Sequence, residues 1–152
     1  MLRIGKLTDY GTVMLAYLAT QPGRQFPAAE IAERTRIALP TASKLLKTLQ
    51  RAGLVTSTRG SLGGYQLAKP AADITAANIL DALEGPFAIT ECSGEHSSCG
   101  LESNCRVGHV WQRVNSAIQR ALNDVTLAQL AGIERGTSTT IPLTRISRVT
   151  HE

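Results

Sequence analysis

No apolar run in this 152-residue chain approaches the ~20 residues that a membrane-crossing helix needs. The opening MLRIGKLTDYG lacks a continuous apolar stretch followed by a small-residue cleavage site, so no secretory signal is expected there. Both absences lead us to expect a cytoplasmic protein with no membrane partner, in a compartment where thiols stay reduced. Cysteine is scarce, with three in all, and an odd number cannot all pair within one chain. The closely spaced C-x2–4-C knuckle that usually holds structural zinc is missing. Histidine is also scarce, three in all, with His151 almost at the end. No nucleophile, base and orienting partner can be picked out, which speaks against an enzyme working through a thiol. There is no internal repeat and no low-complexity tract.

What is present is ordinary globular composition, 43% hydrophobic and 18% charged, at a length able to bury a core without disulfides. The net charge of +4 is unevenly placed: residues 1–89 hold ten Lys/Arg against six Asp/Glu, and residues 90–152 hold six of each. A basic first part suits a polyanionic partner.

Hydrophobic spacing predicts a mainly α chain. Leu7, Tyr10, Met14, Tyr17 and Leu18 mark a first helix, which the Pro- and Gly-rich TQPGRQFP ends. Ala28–Arg34 is a second, short helix with Ile31 inward. Pro40 opens a third, whose Leu45, Leu46 and Leu49 share one side, with Gly53 placed to end it. Leu54–Thr58 and Tyr65–Leu67 read as two strands joined by RGSLGG. Thr75 caps a fourth helix that Gly85 closes. The longest apolar row, Val107, Val110, Trp111, Val114, Ile118, Ala121, Leu122 and Val125, keeps helical spacing throughout. TLAQLA adds a small last helix. The tail, 133–152, has no period and is expected to be mobile.

Helix, short helix, turn, helix and hairpin is the order of a winged helix-turn-helix. Residues 1–89 are assigned to that DNA-binding domain, 90–105 to a cysteine-containing loop, and 106–132 to the long amphipathic helix with a short terminal one. With its leucines inward, the third helix offers Thr41, Ser43, Lys44, Lys47, Thr48 and Arg51. Short hydroxyls reach base edges and Lys/Arg reach phosphates when a helix lies in the major groove. The hairpin turn adds Arg59, Gly60 and Ser61, and an inserted Arg suits a narrow minor groove. RGSLGG has neither the Lys-Ser/Thr ending nor the following helix of a phosphate-binding loop. The expected partner is double-stranded DNA.

All three cysteines lie in ECSGEHSSCGLESNC, as Cys92-x6-Cys99-x5-Cys105. Such a stretch bends freely around an inorganic centre, and widely spaced soft thiolates suit an iron–sulfur cluster better than structural zinc. Glu91, Glu95 and Glu102 read as solvated, and the stretch itself holds no Lys or Arg among its residues to depress a thiol for catalysis. A zinc-dependent or thiol-based redox sensor is the alternative, and a thiol redox enzyme a more remote one.

LTDYG at the start, RGSLGGY in the hairpin, the three-cysteine stretch followed by HVW, and NDVTLAQLA together resemble the winged-helix iron–sulfur regulators of the IscR and NsrR type, over roughly residues 1–132. Within them the chain looks most similar to regulators of SUF-type cluster assembly genes. The resemblance implies a homodimeric repressor on palindromic operators, paired through the long helix. It implies a [2Fe–2S] or [4Fe–4S] cluster on Cys92, Cys99 and Cys105. The fourth ligand is open. IscR places a histidine where this chain has Gly108, with His109 one step later, a helical rotation of about 100°. The NsrR branch uses an aspartate from the partner subunit, and Asp9 matches it; His96 is a third possibility. Ser43 stands where IscR has an acidic residue in the recognition helix, so the IscR manner of changing sequence preference does not carry over directly.

Overall fold

The computed structural model describes residues 3–93 and 106–133. Cys99, Cys105, His96 and the expected tail from residue 134 onward lie outside the described residues. In order, the elements are α1 (Lys6–Ala19), α2 (Ala28–Thr35), α3 (Leu39–Arg51), β1 (Val55–Thr58), β2 (Gly64–Leu67), α4 (Ala76–Glu84), α5 (Gly108–Asp124) and α6 (Leu127–Leu130). The fold is mainly helical with one two-stranded antiparallel wing.

Met14, Leu15, Leu18, Phe26, Ile31, Leu46, Leu49, Val55, Ile74 and Ile79 form one core. Leu127 is fully buried in the same core, so the chain returns after α5 to complete the first half. Backbone bonds hold that return: Ala76 N–H donates to the Val125 carbonyl at 2.8 Å, and Leu127 N–H to the Ile74 carbonyl at 2.7 Å. Thr75 and Thr126 each cap their helices with a reciprocal side-chain and backbone pair.

Leu7 is the exception to the expected inner face of α1, being exposed. The buried stripe runs instead through Thr8, Gly11, Met14, Leu15 and Leu18. A polar residue can hold that place because Thr8 Oγ donates to Glu84 Oε1 at 2.5 Å, and the same oxygen accepts from Gly5 N–H at 2.8 Å. These two bonds, the Thr8 hydroxyl first, hold the Glu84 carboxyl below the usual carboxylate range. A depressed acid stabilises the fold above that range and loses its contribution as pH falls through the folded-state value. Glu84→Ala should therefore lower the melting temperature at pH 7, since the buried Thr8 hydroxyl loses its acceptor at a cost of about 1–3 kcal/mol. Its difference from wild type should shrink on acidification; a constant difference from pH 7 to pH 3 would exclude the charged pairing.

In the wing, Val55 pairs with Leu67, Thr56 with Gln66, Ser57 with Tyr65 and Thr58 with Gly64. Phe26 adds a short third edge: Phe26 N–H donates to the Tyr65 carbonyl at 2.9 Å and Tyr65 N–H to the Phe26 carbonyl at 2.8 Å. Side chains brace the hairpin from both sides, Gln50 Nε2 to Ser57 Oγ and Gln25 Nε2 to Thr58 Oγ1, each at 2.9 Å. The wing is thereby fixed relative to α3. Two glycines permit this closeness. A Cβ on Gly63 would stand 2.1 Å from the Thr58 carbonyl oxygen, and one on Gly64 2.5 Å from the Phe26 carbonyl group.

Candidate nucleic-acid interface and cysteine site

Helix α3 begins at Leu39 with Pro40 in its first turn, and Gly53 (φ 74°) follows its end. Ala42, Leu45, Leu46 and Leu49 are buried, which turns Lys44, Lys47 and Arg51 outward as one exposed stripe. Thr41, Ser43 and Thr48 are half-buried at its margin. Thr48 Oγ1 is spent on its own helix, donating to the Lys44 carbonyl at 3.1 Å. Arg51 lies back along α3, with Nε 3.4 Å from the Lys47 carbonyl and Nη2 3.4 Å from Thr48 Oγ1. Lys44 and Lys47 therefore stand as the extended cations of this face. Arg59, Gly60 and Ser61 are exposed at the wing turn, held next to α3 by the Gln50–Ser57 bond. The arrangement can set a helix and a hairpin tip on adjacent grooves of a duplex.

This geometry gives a graded expectation. Lys47→Ala should weaken binding evenly across DNA sequences and reduce the slope of log K against log salt by about 1. Arg51→Ala should do less, because its guanidinium is already engaged. Equal salt slopes for wild type and Lys47→Ala would remove Lys47 from the phosphate contacts.

Cys92 lies in a single 3-10 turn, Glu91–Ser93, against α5. Its thiol is free and half-buried, and stands outside the core. Thr90 Oγ1 is 3.3 Å from Cys92 Sγ and also shares a hydrogen bond with Ser93 Oγ. Neighbouring α5 contributes amides that were not singled out from the sequence. Gln112 Nε2 donates to the Cys92 carbonyl at 3.2 Å. Asn115 accepts from Ile89 N–H at 3.1 Å and donates to the Ser93 carbonyl at 3.3 Å. Polar residues at i, i+3 and i+7 beside an apolar row were the available signal.

Asp9 is exposed in the first turn of α1, and His109 is exposed in the first turn of α5. Among the described residues the one ion pair is Arg24–Glu30, at 2.9 Å, so Asp9 has no cationic partner there. Among them, too, no helix is long and apolar enough to cross a membrane.

The Rrf2 family profile, described as an iron-dependent transcriptional regulator, matches residues 4–132. Protein rrf2 of Nitratidesulfovibrio vulgaris is 39% identical over 123 residues, covering 80% of this chain and 81% of that protein. The HTH-type transcriptional regulator IscR of Vibrio atlanticus is 35% identical over 129 residues, covering 82% and 74%. Among solved structures, CymR, the global cysteine regulator of B. subtilis, has a TM-score of 0.68 at 29% identity and covers 89% of this chain and 100% of its own. IscR of T. potens has a TM-score of 0.64 at 30% identity, covering 88% and 89%.

Proposed function

The chain belongs to the Rrf2 family of DNA-binding transcriptional regulators, and on that premise we propose that it senses the state of an iron–sulfur cluster held by Cys92, Cys99 and Cys105. The observation that carries this reading is the setting of Cys92. A free thiol outside the core, on a turn fastened to α5, suits a ligand better than a packing residue. The donor set fits the group, since three thiolates in one polar stretch favour soft iron–sulfur centres. When bound, a cluster supplies a centre that responds to oxidants, nitric oxide or assembly demand. The similarity to the two IscR proteins adds support.

The chain's own residues set the rest. The regulator acts as a homodimer on palindromic promoter DNA, repressing genes for iron–sulfur assembly. Lys44, Lys47, Thr41 and Ser43 of α3 take the major groove, and Arg59, Gly60 and Ser61 the adjacent minor groove. Val107, at the start of α5, and Val110, Trp111 and Val114 along it are exposed and form the surface that a second copy covers. Asp9 of the partner subunit is the fourth donor; it is an exposed carboxylate without a described cationic partner, and a hard oxygen among thiolates makes for a labile site.

Purification without air, with iron and sulfide assays and an absorption spectrum, tests the reading. Brown protein with matched iron and sulfide is expected. Cys92→Ala and Cys99→Ala should lose the colour, Asp9→Ala should shorten its lifetime in air, and His109→Ala should change little. Colourless protein with zinc, or with no metal, defeats the cluster reading. The second reading is a thiol-based sensor, favoured by the likeness to CymR, the global cysteine regulator of B. subtilis.

A further inference from the structure

Asn115 is 3% exposed, one of two buried polar side chains among the described residues. It sits midway along α5, a position where asparagine is a poor helix former. Burying an amide costs free energy unless both ends find partners. Here both do, and both partners are backbone groups of the segment that leads into the cysteines. The oxygen takes Ile89 N–H at 3.1 Å and the nitrogen reaches the Ser93 carbonyl at 3.3 Å. One turn earlier Gln112 holds the Cys92 carbonyl at 3.2 Å, and one turn later Gln119 holds the Phe87 carbonyl at 3.4 Å.

The residues from Phe87 to Ser93 contain no strand, and beyond the bonds between Thr90 and Ser93 their backbone groups need partners from elsewhere. The amide row of α5 supplies four, at the Phe87, Cys92 and Ser93 carbonyls and the Ile89 N–H. That row lies about 100–160° around the helix from Val114, whose side of α5 is exposed. One face of α5 therefore grips the segment that leads into the cysteines, and another stands free. Ile118 and Leu122, half-buried beside Leu80 of α4, carry the same helix onto the DNA-binding half.

We propose that Asn115 is a positioning residue that fixes the Cys92 segment to α5, so that a change at the thiols moves α5 and is passed to the DNA-binding helices. This rests on the reading of the cysteines as the sensing site, but its test can be separated from the cluster. Coupling of this kind typically changes affinity 5–150-fold.

DNA affinity of the full chain is measured in two thiol states, metal-free and reduced, and reconstituted without air using ferrous iron and sulfide. Wild type should differ between the states by about fivefold or more. Asn115→Ala should retain the metal-free affinity within roughly twofold while the ratio between states falls toward one. In the same metal-free protein, the Ile89 amide should exchange hydrogen faster, with α1–α3 unchanged; loss of packing alone would not confine the effect to that amide. Gln112→Ala, a change at a partly exposed side chain, decides the matter by the same ratio if Asn115→Ala does not fold. A full ratio in the folded variants, or an unaltered Ile89 amide in Asn115→Ala, overturns the proposal. If wild type takes up no iron or sulfide, the cluster reading fails by itself. Protein alkylated with iodoacetamide then serves as the second thiol state, and the variants are judged by the same criteria.

Discussion

Val114→Glu should leave each chain folded yet convert the proposed dimer to monomers, with promoter affinity falling about 10²–10⁴-fold. Val114 is 38% exposed in the single chain, so a glutamate there meets water and the fold does not suffer. In a dimer paired through α5 the same carboxylate would be buried opposite its twin, where an unpaired charge is costly. Two half-sites bound by one linked pair gain about 10²–10⁴ in affinity over separate binding, and that gain is lost with the linkage. Ile118 makes a poorer probe than the unbroken apolar row of the sequence implies. It is half-buried against its own chain near Leu80 and Phe87, so Ile118→Glu would damage the fold as well. Light scattering on Val114→Glu decides the point: a stable dimer of unchanged mass rules out α5 as the pairing surface.

That division of α5 shows where the sequence is informative and where it stops. Spacing identifies an amphipathic helix over Val107–Val125, but a row of apolar residues does not say which of them meet their own chain. Ile118 and Leu122 turn to α4, whereas Val107, Val110 and Val114 stay exposed. The same limit explains Leu7. Hydropathy alone puts it inside, but the inner stripe passes through Thr8, whose hydroxyl is satisfied by Glu84, far away in sequence. Buried polar residues depend on long-range partners, and periodicity cannot report those. Local signals did better: Thr75 as a cap, Pro40 in the first turn of α3, and Gly53 in left-handed conformation after its end all follow from backbone chemistry within a few residues. In the cysteine site, the residue types pointed to soft-metal chemistry. The amides of Gln112 and Asn115 are not legible in the sequence because an amide on a helix is usually solvated, and only the path of residues 87–93 makes these two structural.

Gly64→Ala should damage the wing severely, lowering the melting temperature by roughly 10 °C and abolishing tight DNA binding while α1–α3 remain helical. Two effects coincide at this residue. Its φ of 155° lies where a side chain is strained, at a cost of about 1–3 kcal/mol. The added methyl would also stand 2.5 Å from the Phe26 carbonyl carbon and oxygen, and these are backbone atoms that cannot swing aside. Relief requires separating Phe26 from Tyr65, which breaks both of their backbone hydrogen bonds and leaves the hairpin tied to the body by the side-chain bonds of Gln25 and Gln50. Arg59 would then be held less firmly beside α3, and ordering it on DNA would consume binding free energy. Gly60→Ala is the matched control. Its φ of 112° is also strained, but a Cβ there meets nothing within 4 Å, so it should lose only the strain component and keep the Phe26–Tyr65 bridge. The two effects separate in hydrogen exchange at the Tyr65 amide, fast in Gly64→Ala and protected in Gly60→Ala. Equal melting temperatures and equal Tyr65 protection in the two variants would show that the close approach to Phe26 does not anchor the wing.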